Sequence, residues 1–584
     1  MKKKRLLLEF IRSTWYIYLS SVMLHMVASV IYVFFPHVLG EFTDLLKGGQ
    51  MTGADIVHYS WLLLAIGAGH AILGGVGQYL VMYVGRLFEF MTRRRLFTHF
   101  TGLSEHFHSR NGVGKLLSYF MNDVTSVRES ISMGVNQTAM ATMLFVSSIV
   151  AMVVSGIPTY LIMASVGPLI LIPWIVTKFG PAIRKRSMRV QEALGTMTES
   201  AEEQFGGIRV TKKFAVEPIM IGRFEATVDR IRDNQLKLVR LSSLFQALVP
   251  FLGSISLVVA IAYGGYLTIE GKITLGNFVA LTLYVRMLMN PLQQIGNVIN
   301  TMQRSRASLE RLNELLAKMP DIVESKDAVH ADLSTAEIRI RGLTFTYPEE
   351  QKEALSNIDL DIKPGTTLGI VGRTGSGKTT LVKLLLRVYD PPAGTIFADE
   401  RDIRELTLDS LRTQIAYVPQ DGFLFSTTIR ENIAFSRRDS GLEEVENAAK
   451  QAQIYGNIVE FPERFETKLG ERGVTLSGGQ RQRTSLARGM LKNAPVMILD
   501  DSVSAVDAVT ETDIIHTIRE ERAGKTTILI AHRISALKHA DEIVVLDRGA
   551  IVQRGTHEEL LSQPGIYATI HAIQEEGSQH ASSH

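Results

Sequence analysis

No cysteine occurs among the 584 residues. Disulfide frameworks, thiolate metal sites and a cysteine nucleophile are therefore excluded. The absence suits a catalytic domain in the cytoplasm, and equally a chain from which cysteines have been removed. Charge is also scarce: 21% of residues are Asp, Glu, Lys or Arg against 46% hydrophobic, with a net charge of +3. A balance so near neutral argues for no nucleic-acid partner. The scarcity is uneven. Long uncharged runs crowd the chain before about residue 300, and the remainder reads as an ordinary soluble protein. The length and this shift predict a membrane domain followed by a soluble one.

A membrane span needs roughly 20 apolar residues. Six runs qualify, at about 16–36, 58–85, 131–156, 158–178, 246–269 and 276–299. Ser130–Ser155, Ile157–Thr177 and Gln246–Ile269 contain no Asp, Glu, Lys or Arg. Backbone polar groups in lipid must be satisfied within the segment, so these runs are helices. Buried helices of a soluble core are the alternative, which six successive runs argue against. The basic start, Lys2-Lys3-Lys4-Arg5, precedes an apolar stretch, but no small-residue cleavage pattern follows Tyr16–Phe35. It reads as an uncleaved first helix and not a signal peptide.

Basic residues set the orientation. They cluster at the start, after the second run (Arg86, Arg93, Arg94, Arg95, Arg110, Lys115, Arg128) and after the fourth (Lys178, Arg184, Lys185, Arg186, Arg189). The connections at 37–57, 156–159 and 270–275 hold few. Both termini and both long segments, about 86–130 and 179–245, are thus expected on the cytoplasmic side of the plasma membrane, as helical extensions of the spans. Arg286 stands inside the sixth run. A charge at that depth is costly unless it meets a cavity or partner, so it marks either a pore-lining or inter-subunit contact or a snorkelling side chain. His25 and His70 read as satisfying neighbouring helices. Met287 and Met289 fit an adaptable surface or plain packing.

Specific chemistry begins at Gly372-Arg373-Thr374-Gly375-Ser376-Gly377-Lys378-Thr379, which fits G-x-x-x-x-G-K-[ST] in full. An apolar strand-like run, Thr367–Val371, precedes it, and a helix-like run starting at Thr380 follows. The glycines let backbone N–H groups close on phosphate oxygens, and the helix N-terminus favours the negative charge. Lys378 would bring a positive charge to the β- and γ-phosphates of a nucleotide, and the Thr379 hydroxyl can ligate Mg²⁺. A second apolar strand, Pro495–Asp500, ends in the acid expected to hold that Mg²⁺.

Leu476-Ser477-Gly478-Gly479-Gln480 lies about twenty residues before Asp500. With it the chain resembles the ATP-binding-cassette (ABC) exporters, along essentially its whole length. Tyr347 resembles the aromatic residue that stacks on adenine, Gln420 the Q-loop glutamine, Glu471-Arg472-Gly473 the X-loop, Ser504-Ala505-Val506-Asp507 the D-loop and His532 the switch histidine. Asn111–Ser118 with Asn122–Val124, and Glu203–Val210, resemble the two coupling regions. The resemblance implies an all-α six-helix transmembrane domain over 1–310, a linker over 311–335 and an α/β P-loop nucleotide-binding domain over 336–575; the small polar tail 576–584 is expected to be disordered. It implies nucleotide contacts from Tyr347, Gly372 to Thr380, and Ser477, Gly478, Gly479 and Gln480 of a paired cassette. Thr379, Gln420 and Asp500 would hold Mg²⁺. The partner is a second half-transporter, in contact with membrane lipid and a small amphipathic substrate.

One position departs from that pattern. The family's catalytic glutamate is here Asp501, shorter by one methylene. Positioning dominates phosphoryl transfer, and a displacement of about 1 Å can cost about 10²-fold in rate. The site built on Lys378 and Asp500 is expected to bind ATP well and hydrolyse it poorly, inside a heterodimer whose other cassette supplies the glutamate. The pattern resembles bacterial heterodimeric multidrug exporters with one degenerate site. A tolerated change in an active homodimer stays open, as do lipid or peptide export and a mainly regulatory ATP-binding subunit. Cavity residues other than Arg286 are not marked by the sequence.

Overall fold

The computed structural model describes residues 6–49, 51–348, 350–470 and 476–582, and the side chains of all of these but 135, 290, 292–297, 299–300 and 576–582. The basic start at Lys2–Arg5 and the X-loop Glu471-Arg472-Gly473 lie outside the described residues. The chain divides into two compact units: Met1–Gly102 with His108–Met319, and Leu103–Phe107 with Pro320–His584.

The first unit is helical: α1 (Leu6–Lys47), α2 (Gly53–Thr101), α3 (Glu105–Val154), α4 (Thr159–Gly206), α5 (Glu217–Ile269) and α6 (Leu275–Leu316). Among the described residues, five are long and apolar enough to cross a membrane. The sixth, α6, runs unbroken through the span expected at 276–299, and its apolar stretch among the described side chains is Leu275–Met289. The 53 residues of α5 run for about 80 Å at 1.5 Å each, well beyond a hydrocarbon core of about 30 Å. Local chemistry sets the helix starts. Thr52 and Asp55 form a capping box at α2, where Asp55 Oδ2 accepts from Thr52 N at 2.9 Å, and Thr274 Oγ1 accepts from Asn277 N at 3.0 Å to start α6. Gly112 breaks α3 with φ 66°, and two π-helical stretches, Tyr119–Asp123 and Ser130–Gly134, follow.

Inside the bundle, small residues and hydroxyls bring backbones close. A Cβ on Gly276 of α6 would lie 2.1 Å from Gly40 O of α1. Ser21 donates to Gly77 O at 2.8 Å, and buried Tyr284 donates to Val33 O at 3.1 Å. His25 is buried, within hydrogen-bond distance of Ser21 O on its own helix at 3.0 Å and of Asn136 Nδ2 on α3 at 3.4 Å. The outward surface carries large apolar side chains, as lipid-facing helices do.

The second unit holds two sheets. Strands β1 (Ile338–Thr346), β2 (Glu353–Ile362), β4 (Ile396–Ala398) and β5 (Arg401–Asp402) form an antiparallel sheet in the order β2-β1-β4-β5. Strands β3 (Thr367–Gly372), β6 (Ile415–Val418), β7 (Val496–Asp500), β8 (Thr526–Ile530), β9 (Glu542–Asp547) and β10 (Ala550–Gly555) form a second, ordered β10-β9-β3-β8-β7-β6. It is parallel except at β10. Alternate residues feed opposite faces: Met497 and Leu499 enter one core, Val496 and Ile498 the other. Both faces are covered, which is why these strands read as continuous apolar runs.

Leu103–Phe107 belongs to this second unit, where Glu105 Oε1 lies 2.9 Å from Lys383 Nζ. The last helix, Ile566–Ser582, runs into the tail expected to be disordered.

Candidate functional site

In an open parallel sheet, ligands sit beyond the carboxyl ends of the strands. There β3 ends in the P-loop and β7 in Asp500, two strands apart across β8. A cavity of about 410 Å³ opens between them, lined by Tyr347, Thr374 to Thr380, Gln420, Asp500, Asp501 and His532 among others. Gly372 and Arg373 are not among its lining residues. A Cβ on Gly372 would fall 2.2 Å from Leu546 O, so only glycine lets the loop leave the sheet there. Gly375 (φ 78°) and Gly377 (φ 101°) take left-handed backbone around Ser376, the concave arrangement that suits an anion.

Lys378 Nζ donates to Gly372 O at 2.8 Å and Arg373 O at 3.1 Å. Burial pushes its pKa down, against the pull of Asp501 and then Asp500. Burial pushes the Asp500 carboxyl up, partly offset by bonds from Thr379 Oγ1 and the Tyr417 hydroxyl, each at 3.4 Å. The Tyr347 ring packs edge-on against Phe345 and Tyr389, and its hydroxyl lies 3.0 Å from Thr380 Oγ1. Gln420 Nε2 donates to Asp501 Oδ2 at 3.0 Å. Asp501 has left-handed backbone (φ 50°), where Asp is among the better tolerated non-glycine residues.

The pocket fits a nucleotide triphosphate. Ser376 is 3% exposed and its Oγ has no hydrogen-bond partner among the described residues, a cost of about 1–3 kcal/mol that a phosphate oxygen would remove. A Cβ on Gly375 would meet nothing within 4 Å, so the loop's mouth is open. Thr379, Asp500 and Gln420 present the oxygen donors that Mg²⁺ prefers.

Ser477, Gly478, Gly479 and Gln480 are not brought into this cavity. They start the helix Gly478–Lys492 instead. Ser477 Oγ accepts from Gln480 N at 3.3 Å and Gln480 Oε1 accepts from Ser477 N at 2.9 Å. This capping box spends the Ser477 side chain locally and leaves its outer face exposed.

Two glutamines escaped the sequence reading. Gln482 donates to Gln420 O at 3.1 Å and accepts from Ala505 N at 3.0 Å, tying the Q-loop and D-loop backbones to one helix. Gln574, on the last helix, donates to His532 O at 2.7 Å and accepts from Ile534 N at 2.9 Å, so it brackets the His532 loop. Gln482 lies two residues past the signature, a position that invited the question. Nothing local marks Gln574, which reaches its loop from 42 residues away.

The ABC transporter transmembrane region family model matches residues 18–292, and the ABC transporter family model matches 355–504. A probable multidrug resistance ABC transporter ATP-binding/permease protein, YheI of Bacillus subtilis, is 36% identical over 96% of this chain and 95% of its own. The chain belongs to the ABC transporter family. An ATP-dependent lipid A-core flippase of Syntrophus aciditrophicus is 35% identical over 88% of the chain and 85% of its own. A bacterial Atm1-family ABC exporter solved with ATP bound superposes with a TM-score of 0.79 at 25% identity, covering 96% of this chain and 98% of that one. The protein is thus a multi-pass membrane ABC exporter half-transporter, a helical transmembrane domain followed by an α/β nucleotide-binding domain that binds ATP and couples its hydrolysis to transport. ABC exporters work as dimers, which accounts for a signature helix standing apart from the chain's own P-loop.

Proposed function

We propose that the chain is the degenerate-site half of a heterodimeric efflux pump for drugs or other amphipathic compounds, resembling the BmrC half of the Bacillus BmrC–BmrD pair. The observation that carries this is Asp501. Its shorter carboxylate accepts a bond from Gln420 at 3.0 Å and starts from left-handed backbone. An acid so held polarises an attacking water poorly, because positioning sets the rate. Multidrug and flippase relatives support export of an amphipathic cargo.

In this reading Tyr347 stacks on adenine, the P-loop N–H groups and Lys378 hold the phosphates, and His532 orients the γ-phosphate region. Lys378 gives up its two carbonyl bonds to reach the phosphates. Thr379, Gln420 and Asp500 hold Mg²⁺, which when bound neutralises phosphate charge. Ser477 to Gln480 of this chain complete the partner's site, which carries the true glutamate. Both termini and the nucleotide-binding domain are cytoplasmic. ATP binding pairs the cassettes head to tail and turns the membrane helices outward; hydrolysis at the competent site resets them. Such coupling requires ATP to bind the two states with different affinity.

The test is purification from native membranes followed by nucleotide trapping. A co-purifying half-transporter with glutamate after its strand-end aspartate, and ADP trapped mainly on that partner, is expected. Asp501→Glu should then raise ADP formation at this chain's site about tenfold or more. A dimer of this chain alone, hydrolysing ATP with no gain from Asp501→Glu, would sink the asymmetric mechanism.

A further inference from the structure

His532 is held through its backbone, and the bonds that hold it come from two directions. Strand β8 ends at Ile530, and the chain continues through Ala531 to His532, which lines the nucleotide cavity. On one side Gln574 binds the His532 carbonyl and the Ile534 N–H. On the other side Arg533 and Ser535 converge on a single carboxylate. The Arg533 guanidinium pairs with Glu511 Oε2, and Ser535 Oγ donates to Glu511 Oε1 at 3.1 Å. Both oxygens of Glu511 are thus committed to residues that follow His532.

Glu511 is 3% exposed, whereas the Arg533 side chain is 45% exposed. A carboxylate taken that far out of water is costly, and packing alone would be served as well by an apolar residue of similar size. Its place in the chain gives another reason for it. Glu511 stands in the first turn of the helix Ala508–Glu521, where its N–H donates to Asp507 O at 2.9 Å. Asp507 ends the D-loop stretch Ser504–Asp507 and caps that helix, accepting from Thr510 N at 3.0 Å. Arg533 Nη1 also lies 3.5 Å from Val506 O, a carbonyl of the same stretch. The D-loop, the helix start and the His532 loop are therefore joined through one buried carboxylate.

We propose that Glu511 is a positioning residue for ATP hydrolysis. It fixes the His532 loop to the D-loop, so that the imidazole faces the γ-phosphate only while the D-loop is in place. Glu511 touches no substrate and acts through Arg533 and Ser535. This role rests on the reading of His532 as the group beside the γ-phosphate.

The test uses the assembled transporter from native membranes, with Asp501→Glu on this chain so that its own site turns over. Single-turnover formation of ADP from photoreactive 8-azido-ATP, crosslinked at intervals, assigns product to each chain and keeps slow variants measurable. Glu511→Gln keeps the size and the acceptor for Ser535 but removes the charge that holds Arg533. It is expected to lower the rate on this chain about tenfold, with photolabelling by unhydrolysed nucleotide unchanged. Ser535→Ala, at an exposed position, should lower the rate about threefold, and it carries the comparison if Glu511→Gln fails to assemble. In a His532→Ala background neither change should add a further loss, because the residue they position is gone. Equal losses with and without His532 overturn the role, since a merely structural acid acts independently of the imidazole. So do unchanged rates in both single variants, or photolabelling that falls in step with the rate. An unchanged rate in His532→Ala alone removes the reading of His532 and this role with it; a loss in His532→Ala with none in Glu511→Gln removes this role only.

Discussion

In β7 all five residues of Val496–Asp500 are buried, whereas in the membrane unit Trp61, Met163 and Ile269 stand 66%, 75% and 88% exposed. Both segments are apolar, so hydrophobicity does not report the same thing in the two regions. In the nucleotide unit it drives burial on both faces of a sheet. In the membrane unit the lipid already satisfies it, and packing falls to close backbone approach and a few hydroxyl bonds. The nucleotide unit is thus specified by side chains that clamp backbone, such as Gln482 and Gln574. The membrane unit is specified by residues that are small, such as Gly40 and Gly276.

Three substitutions sharpen that contrast, beginning with the largest expected effect. Gly276→Leu places a branched side chain against Gly40 O and should destabilise the membrane unit by about 1–3 kcal/mol or more, seen as lower yield and earlier unfolding in detergent. ATP affinity should not change; a parallel loss there would break the proposed separation. Gln574→Ala removes both bonds that bracket the His532 loop. At about 1 kcal/mol per bond it should lower kcat of the assembled transporter about fivefold or more, with the KM for ATP unchanged. A rise in KM alone would mean that Gln574 serves nucleotide binding and not the loop.

Asp500→Asn is the smallest change in size and the most informative in sign. Burial raises the folded-state pKa of Asp500, so the cost of its charge is fully present above that raised pKa. It fades as pH falls toward the unfolded value. The nucleotide-free variant should therefore melt about a degree or two higher at neutral pH, with the gain shrinking on acidification, while stabilisation by Mg²⁺ and ATP together is lost. A variant that melts lower at neutral pH would show that the carboxylate earns its place without metal, through Thr379 and Tyr417.

The nucleotide motifs were legible because each is a local device. A P-loop needs its glycines, lysine and threonine within eight consecutive residues, and a parallel strand announces itself as an apolar run ending in acid. The membrane spans were legible as composition, because long uncharged runs are enough to mark them. The last helix runs to Ser582, past the point where a tail was expected to begin, because where a helix ends depends on what it packs against. Gln574 was invisible because its function, if the kinetics agree, lies entirely in reaching another element.

By itself the sequence determined the kind of machine: spans long enough for lipid, a phosphate cradle and a signature. Hydropathy and short-range backbone geometry are properties of neighbouring residues, and neighbours are what a sequence lists. Only the tertiary structure decided that Gln420 holds Asp501 and that the Ser376 hydroxyl is left without a partner among the described residues. Those facts depend on which distant surfaces meet and on which polar groups are left without a partner when they do.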